Sequence, residues 1–326
     1  MRVLKKVLAA TAATIAALAL LFVVAVLLRW DRSYDAPYPQ IHASSDPAVI
    51  ERGRYLAYGP AHCVACHTND AEQDLVKAGA TPPLAGGYKF DLPVGHFRTP
   101  NLTPDVATGI GNLKDAELAR VLRYGVLPNG RATLPFMELH DLSDEDLTAI
   151  VSFLRSQPAV RRDIPKQHFN FLGKAVMAFA IKPAGPTSAP AKTSPAEAPT
   201  VERGAYLANN VANCAGCHSQ RSPMDGHYTS ARFSGGMTFD LDHDTKHVLV
   251  TPNLTPSKYG RITPWSEEQF VGRFGAGAGL EGTHMPWKQF QRISETDARA
   301  IYRYLRTLPS SDFNPGPSLQ AKKKEG

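Results

Sequence analysis

The pattern of apolar and polar positions divides the chain into one long uncharged stretch and two similar alternations of helix-like and loop-like sequence. Residues Val7 to Leu28 form 22 positions without a charge. At about 1.5 Å rise each they would extend about 33 Å, enough for the hydrocarbon core of a bilayer. Arg2, Lys5 and Lys6 precede this run and Trp30 follows it, the charge and aromatic placement of a span whose leading end stays cytoplasmic. A secretory signal has a shorter apolar core and a small-residue cleavage site, and Arg29-Trp30-Asp31-Arg32 offers no such site. The expectation is an uncleaved single-pass anchor over residues 1–29, with the rest of the chain outside the cytoplasm. Residues 30–45, with Pro37 and Pro39, read as a tether without a packed element.

Beyond the tether the pattern repeats. Glu51-Arg52-Gly53-Arg54-Tyr55-Leu56-Ala57 returns as Glu202-Arg203-Gly204-Ala205-Tyr206-Leu207-Ala208, offset by 151. Thr99-Pro100-Asn101-Leu102-Thr103 returns at Thr251-Pro252-Asn253-Leu254-Thr255, offset by 152. Self-similarity at this period indicates two copies of one domain, placed at residues 46–165 and 201–313. Each copy predicts a short opening helix containing Gly53 or Gly204. A glycine inside a helix costs about 1 kcal/mol against alanine, so a close packing contact is expected there.

Each copy also predicts a closing helix. Ser143-Asp144-Glu145-Asp146 and Ser294-Glu295-Thr296-Asp297 have the shape of capping boxes. Leu147, Ile150, Val151 and Leu154 follow at helical spacing, as do Ala298, Ile301, Tyr302 and Leu305. A further helical patch falls at 117–124 and at 267–274, between Gly- and Pro-rich loops, and few strand-like runs appear. So short a helical shell could hardly fill a core alone.

Residues 166–200 join the copies. Lys182 to Thr200 is dense in Pro, Ala, Thr and Ser, a linker composition. Phe169 to Ile181 is apolar but too short to span a bilayer; it either packs on a domain or lies at a membrane interface. Residues 314–326 read as a polar tail. The formal charge of +6 resides largely at the ends, in Arg2, Lys5 and Lys6 and in Lys322, Lys323 and Lys324 less Glu325. The two copies are therefore close to neutral, and nothing points to nucleic acid.

The chemistry lies in the four cysteines. Cys63-Val64-Ala65-Cys66-His67 and Cys214-Ala215-Gly216-Cys217-His218 are two Cys-x-x-Cys-His runs, the attachment signature of c-type haem. Two thiols reach the two vinyl groups of one porphyrin, and the adjacent histidine binds its iron. Zinc ribbons need two Cys pairs close together, and these start 151 residues apart. A thioredoxin-like redox pair needs a βαβ context that is missing.

Electron transfer calls for a sixth ligand, and methionine raises the potential. In the second copy the candidate is Met285, in His284-Met285-Pro286-Trp287, ahead of the competitors Met237 and Met224. In the first copy it is Met137, with His140 or an open position as alternatives; ungapped alignment of the closing helices puts Leu134, not Met137, opposite Met285. His62, His96 and His243 read as solvated or hydrogen-bonded.

With these motifs the chain resembles the membrane-anchored di-haem cytochromes c, in particular the cytochrome subunits of bacterial membrane-bound dehydrogenases. The resemblance covers roughly residues 46–165 and 200–310. It implies a mainly α fold of two tandem class I cytochrome c domains, each around one covalent haem c. It implies Cys63, Cys66, Cys214 and Cys217 as thioether anchors, His67 and His218 as proximal ligands, and Met137 and Met285 as distal ligands. It also implies that a proline carbonyl of Pro82-Pro83-Leu84-Ala85-Gly86 accepts a hydrogen bond from His67, whereas Ala231-Arg232-Phe233-Ser234-Gly235 has no proline to serve His218.

The implied function is electron transfer at the periplasmic face of a bacterial inner membrane, without catalysis of its own. The partners would be a dehydrogenase, a small cytochrome or a terminal oxidase. The rival is a di-haem peroxidase with one open haem.

Overall fold

The computed structural model describes residues 2–137, 139–222, 226–241, 244–280 and 282–322; Met224 and His243, singled out above, lie outside them. The apolar run forms helix α1 (Arg2–Arg29), almost wholly exposed apart from Val26. The stretch after it has no regular secondary structure but is not a loose tether. Tyr34 and Ala36 give their carbonyls to Arg120, Ser44 donates to Ser152, and Ile41 is buried. It is a strap pinned along the first copy.

The first copy runs α2 (Pro47–Tyr58), a 3-10 turn (Cys63–Ala65), α3 (Gln73–Lys77), α4 (Asp115–Tyr124) and α5 (Asp144–Ser156). After it come α6 (Phe171–Phe179) and then the second copy: α7 (Val201–Tyr206), α8 (Cys214–Cys217), α9 (Glu267–Ala276), α10 (Trp287–Phe290) and α11 (Glu295–Thr307). The glycine expectation holds. A Cβ on Gly53 would overlap the Ala149 carbonyl and lie 2.7 Å from Phe153 Cβ; on Gly204 it would overlap the Ala300 carbonyl and lie 2.8 Å from Tyr304 Cβ. In each copy the opening and closing helices therefore cross with their backbones in contact.

The chain is mainly helical, as expected, and its few short strands pair into two small sheets. Strands β1 (Lys89–Leu92), β2 (Gly95–Arg98) and β3 (His168–Phe169) form one antiparallel sheet; β4 (Thr238–Leu241), β5 (Asp244–Val250) and β6 (Leu319–Ala321) form another. Each is a hairpin completed by a strand from beyond the closing helix, and β6 lies inside the segment read as a polar tail. The Pro-rich linker is also held: Asp144 and Glu145 at the start of α5 donate to the carbonyls of Ala191 and Lys192.

One hydrophobic cluster runs through both copies, from Leu56, Ile150 and Phe153 to Leu207, Phe274 and Ile301. The expected capping boxes are only half made. Ser143 Oγ accepts from the Asp146 N–H at 3.1 Å, and Ser294 Oγ from Asp297 at 3.1 Å. The two aspartates do not reach back. Asp146 takes a bidentate pair from Arg52 (2.9 and 3.1 Å) and a hydrogen bond from Tyr206 Oη of the other copy (2.8 Å). Asp297 takes the same from Arg203 (2.8 and 3.1 Å) and from Tyr55 (2.6 Å). Each tyrosine hydroxyl in turn accepts the N–H of the capping serine, from Ser143 or Ser294, at 3.2 Å. Both carboxylates are buried, yet each is paired and hydrogen-bonded, as burial requires.

Candidate functional site

Each Cys-x-x-Cys-His run begins at a residue in the left-handed region, His62 at φ 40° and Asn213 at φ 47°, which histidine and asparagine tolerate better than most. That bend lets the cysteines follow on a tight turn, the 3-10 turn in the first copy and α8 in the second. The backbone N–H of His67 and of His218 closes the turn onto the carbonyl of Cys63 or Cys214, at 2.8 and 2.9 Å.

Both histidines are buried, and their orientation is fixed from Nδ1. His67 Nδ1 lies 3.2 Å from the Pro100 carbonyl, and His218 Nδ1 lies 3.0 Å from the Pro252 carbonyl. A carbonyl can only accept, so Nδ1 carries the proton and Nε2 the lone pair. Burial lowers the His67 pKa to about 4, against the smaller opposing pull of the Pro100 carbonyl, and burial lowers that of His218 too. Both rings are thus neutral donors at pH 7.

The orienting carbonyls correct the expectation drawn from Pro82-Pro83-Leu84-Ala85-Gly86. Pro82 instead accepts from Tyr58 Oη, at 2.9 Å. The proline that serves the histidine belongs to the Thr-Pro-Asn-Leu-Thr segment, which both copies possess, so His218 does not lack a partner. The repetition of that segment was the available signal. The two glycine loops support it: Gly86 and Gly235 donate to the carbonyls of His67 and His218 at 2.9 and 2.8 Å. Their φ values are 70° and 76°, and a Cβ on either would overlap the Thr-Pro backbone.

Behind the proline, buried asparagines pin the segment. Asn101 Oδ1 accepts from the N–H and hydroxyl of Thr103, and its amide donates to Val160. Asn253 does the same with Thr255 and donates to Ser311 and Phe313.

Burial pushes the Cys63 and Cys214 thiols up to about 12 and that of Cys66 up to about 11. Among the described residues no group of three or more His, Cys, Asp or Glu could hold a bare metal ion.

Met285 is partly buried against the shared core, and its carbonyl accepts the Trp287 N–H at 2.8 Å. The indole of Trp287 stacks under the Arg273 guanidinium at 3.9 Å. Met237 pairs its backbone with Thr251, beside the carbonyl that holds His218. Met137 and His140 line a cavity of about 320 Å³ at the seam between the copies, opposite Asn209, Asn213, Tyr228 and Arg232 of the second copy. His140 Nδ1 is engaged with the carbonyls of Leu122 and Arg123. The converse contact also exists: His62, before Cys63, packs edge-on against Phe290, a few residues beyond Met285. Each copy's methionine segment thus abuts the other copy's Cys-x-x-Cys-His turn.

A family profile described as Cytochrome c matches residues 50–158 and again residues 201–309. The chain belongs to the cytochrome c family. As a tandem cytochrome c it is similar to a nicotinate dehydrogenase subunit of Pseudomonas putida, 28% identical over 89% of this chain and 24% of that protein. It is similar to the gluconate 2-dehydrogenase cytochrome c subunit of Pantoea cypripedii, 30% identical over 82% of this chain and 61% of that one. A diheme cytochrome c-type protein of Cereibacter sphaeroides is 26% identical over 78% of this chain and 84% of its own length. The chain therefore spans less than two thirds of the length of these two dehydrogenase subunits.

Cytochrome c domains imply haem c, and the residues fit it. Each copy presents two closely spaced thiols and a neutral buried imidazole with Nε2 unprotonated. That donor set suits an iron porphyrin and not a zinc thiolate centre.

Proposed function

We propose that this cytochrome c is a membrane-anchored di-haem electron carrier. It passes electrons from a periplasmic dehydrogenase to a respiratory-chain acceptor, such as a small cytochrome or a terminal oxidase. The observation that carries this reading is the duplicated arrangement: a buried neutral histidine on a Cys-x-x-Cys-His turn, aimed by a proline carbonyl, in both copies of a tandem. In the reading, Cys63, Cys66, Cys214 and Cys217 would hold two haems covalently, and His67, His218, Met137 and Met285 would supply the ligands to their irons.

Bound iron porphyrin supplies a reversible one-electron couple. The protein's part is to hold each imidazole in one tautomer, raise its basicity through the Pro100 or Pro252 carbonyl, and exclude water with the shared core. The cavity lined by both Met137 and Asn213, and the packing of His62 on Phe290, bring the two sites to one seam and favour passage between the copies. The dehydrogenase partner is supported by the relatives named as dehydrogenase cytochrome subunits.

Helix α1 serves as the anchor. Its retention is supported by packing a removable leader would not need: Phe22 lies against Phe171 and Phe179, and Trp30 against Phe169.

Mass spectrometry of the purified chain should show the added mass of two haems. Potentiometric titration should resolve two one-electron steps at mainly positive potential, with little carbon monoxide binding in the reduced state. One haem or none, or rapid peroxide turnover at an open iron, overturns the reading.

A further inference from the structure

Helix α6 has two unlike faces. Gly173, Met177 and Ala178 turn inward. A Cβ on Gly173 would overlap the Val94 carbonyl in the β1–β2 turn, and Met177 joins Phe97, Phe169 and Ile181 in a small second core. The helix start is fixed on the same turn: Asn170 Oδ1 accepts from the Gly173 N–H at 2.9 Å, and its amide donates to Pro93 at 2.8 Å. The other face leaves Phe171 at 47%, Leu172 at 54% and Phe179 at 47% exposed. Three large apolar side chains on a nine-residue helix stay in the open although the helix is firmly seated.

What lies next to that face names its occupant. Phe22 of α1 stacks on Phe179 at 5.8 Å and meets Phe171 edge-on at 6.3 Å. Phe22 is itself 48% exposed, so the bare surface of α6 continues without a break into that of α1. Phe22 precedes Arg29 by seven positions, which at 1.5 Å rise puts it about 10 Å below the end of α1. Helices that lie in a membrane interface bury their apolar face about 5–10 Å deep. The cations sit at the upper level: Arg29 lies over the Phe179 ring at 5.7 Å and Lys174 over Trp30 at 5.0 Å. Basic and indole groups are the usual anchors at the headgroup boundary.

We propose that α6 is a second membrane contact, lying in the outer leaflet beside α1, with Phe171, Leu172 and Phe179 among the lipid acyl chains and Lys174 and Arg29 at the phosphates. It rests on the reading of α1 as a retained span. Its consequence is a fixed posture: Asn170 and Gly173 tie α6 to the first copy, so that copy stands at a set height and angle on the bilayer, held by α6 as well as by the pinned strap.

Site-directed spin labelling tests this on the full-length holoprotein in phosphatidylethanolamine and phosphatidylglycerol vesicles. Nitroxides are placed at Leu172→Cys and Phe179→Cys, with Leu18→Cys as a reference in α1 and Glu202→Cys as a reference in the second copy. All four positions are exposed, and each labelled protein is compared with its parent by haem absorbance and melting. The expected result is that labels at 172 and 179 collide with oxygen in preference to a water-soluble nickel chelate, approaching the ratio at 18 and unlike that at 202. Nickel access at 172 and 179 with a lipid-like ratio at 18 overturns the inference and leaves the anchor intact. Shielding of 172 and 179 from both reagents assigns the face to a protein partner and also overturns it. A water-like ratio at 18 removes the anchor and α6 insertion together.

Discussion

Replacing Gly53 with alanine tests the helix crossing that positions everything else. The added methyl would overlap the Ala149 carbonyl and lie 2.7 Å from Phe153 Cβ, against about 3.5–4.0 Å for a relaxed carbon contact. Neither obstacle is the free end of a side chain, so α2 must withdraw from α5 by on the order of 1 Å. A gap of that size forfeits up to about half of each contact's attraction along an interface where Leu56, Ala57, Ile150 and Phe153 are fully buried. Overpacking of this kind costs about 1–3 kcal/mol, and lost contacts add to it; better helix propensity returns about 1 kcal/mol. A net loss of roughly 2–3 kcal/mol lowers Tm by about 5–10 °C for two copies that share one core and melt as a unit. Gly204→Ala should match it, because its Cβ meets Ala300 and Tyr304 in the same way. Gly272 supplies the opposite sign: it lies inside α9 with nothing within 4 Å of a built Cβ, so Gly272→Ala should gain about 0.5–1 kcal/mol. Circular dichroism melts of the three holoproteins at pH 7 decide it. Equal shifts in all three, or a Gly53→Ala protein melting within a few degrees of the parent, would refute the argument.

Three further outcomes follow from the site and its surroundings. Asn253→Ala frees the segment that presents the Pro252 carbonyl and weakens the hydrogen bond that raises His218 basicity. The potential of the second haem should rise by a few tens of mV, on a scale of about 59 mV per tenfold for one electron, with the first unchanged; equal shifts in both would contradict the assignment. Tyr206→Phe removes the donor to buried Asp146 and the acceptor for Ser143, and should cost about 1.5–3 kcal/mol by chemical denaturation, with a value near zero counting against the seam. Glu267 has its pKa lowered to about 2, first by the Arg303 hydrogen bond, with Arg299 adding to it. Its contribution is therefore complete above about pH 4.5 and is lost as pH falls toward 2. An acid titration of Glu267→Gln should lack that component, and curves parallel to the parent's through this window would exclude it.

The two Cys-x-x-Cys-His runs and the repeat were legible because covalent chemistry fixes residue type and spacing together. The close approach at Gly53 and Gly204 was legible because glycine is costly in a helix without a reason. The orienting carbonyl was not legible in the proline-rich loop, because Pro82 is taken by Tyr58 and the carbonyls that face the histidines, Pro100 and Pro252, lie 33 and 34 residues along the chain from them. The sheets escaped notice because their third strands, His168–Phe169 and Leu319–Ala321, are two and three residues long, too short for alternation to register. The aspartates of the capping boxes could not be assigned from local pattern, since their partners lie 94 residues away in Arg52 and Arg203, and in the other copy in Tyr206 and Tyr55.

The reciprocal tyrosines bind the fates of the two halves. A gene fragment encoding either half alone would leave a buried carboxylate without its tyrosine donor and bare the apolar wall its sibling covers, so such fragments should aggregate. Halves interlocked in this way keep their two Cys-x-x-Cys-His turns at one separation, so in the proposed carrier the gap an electron crosses is set by the fold.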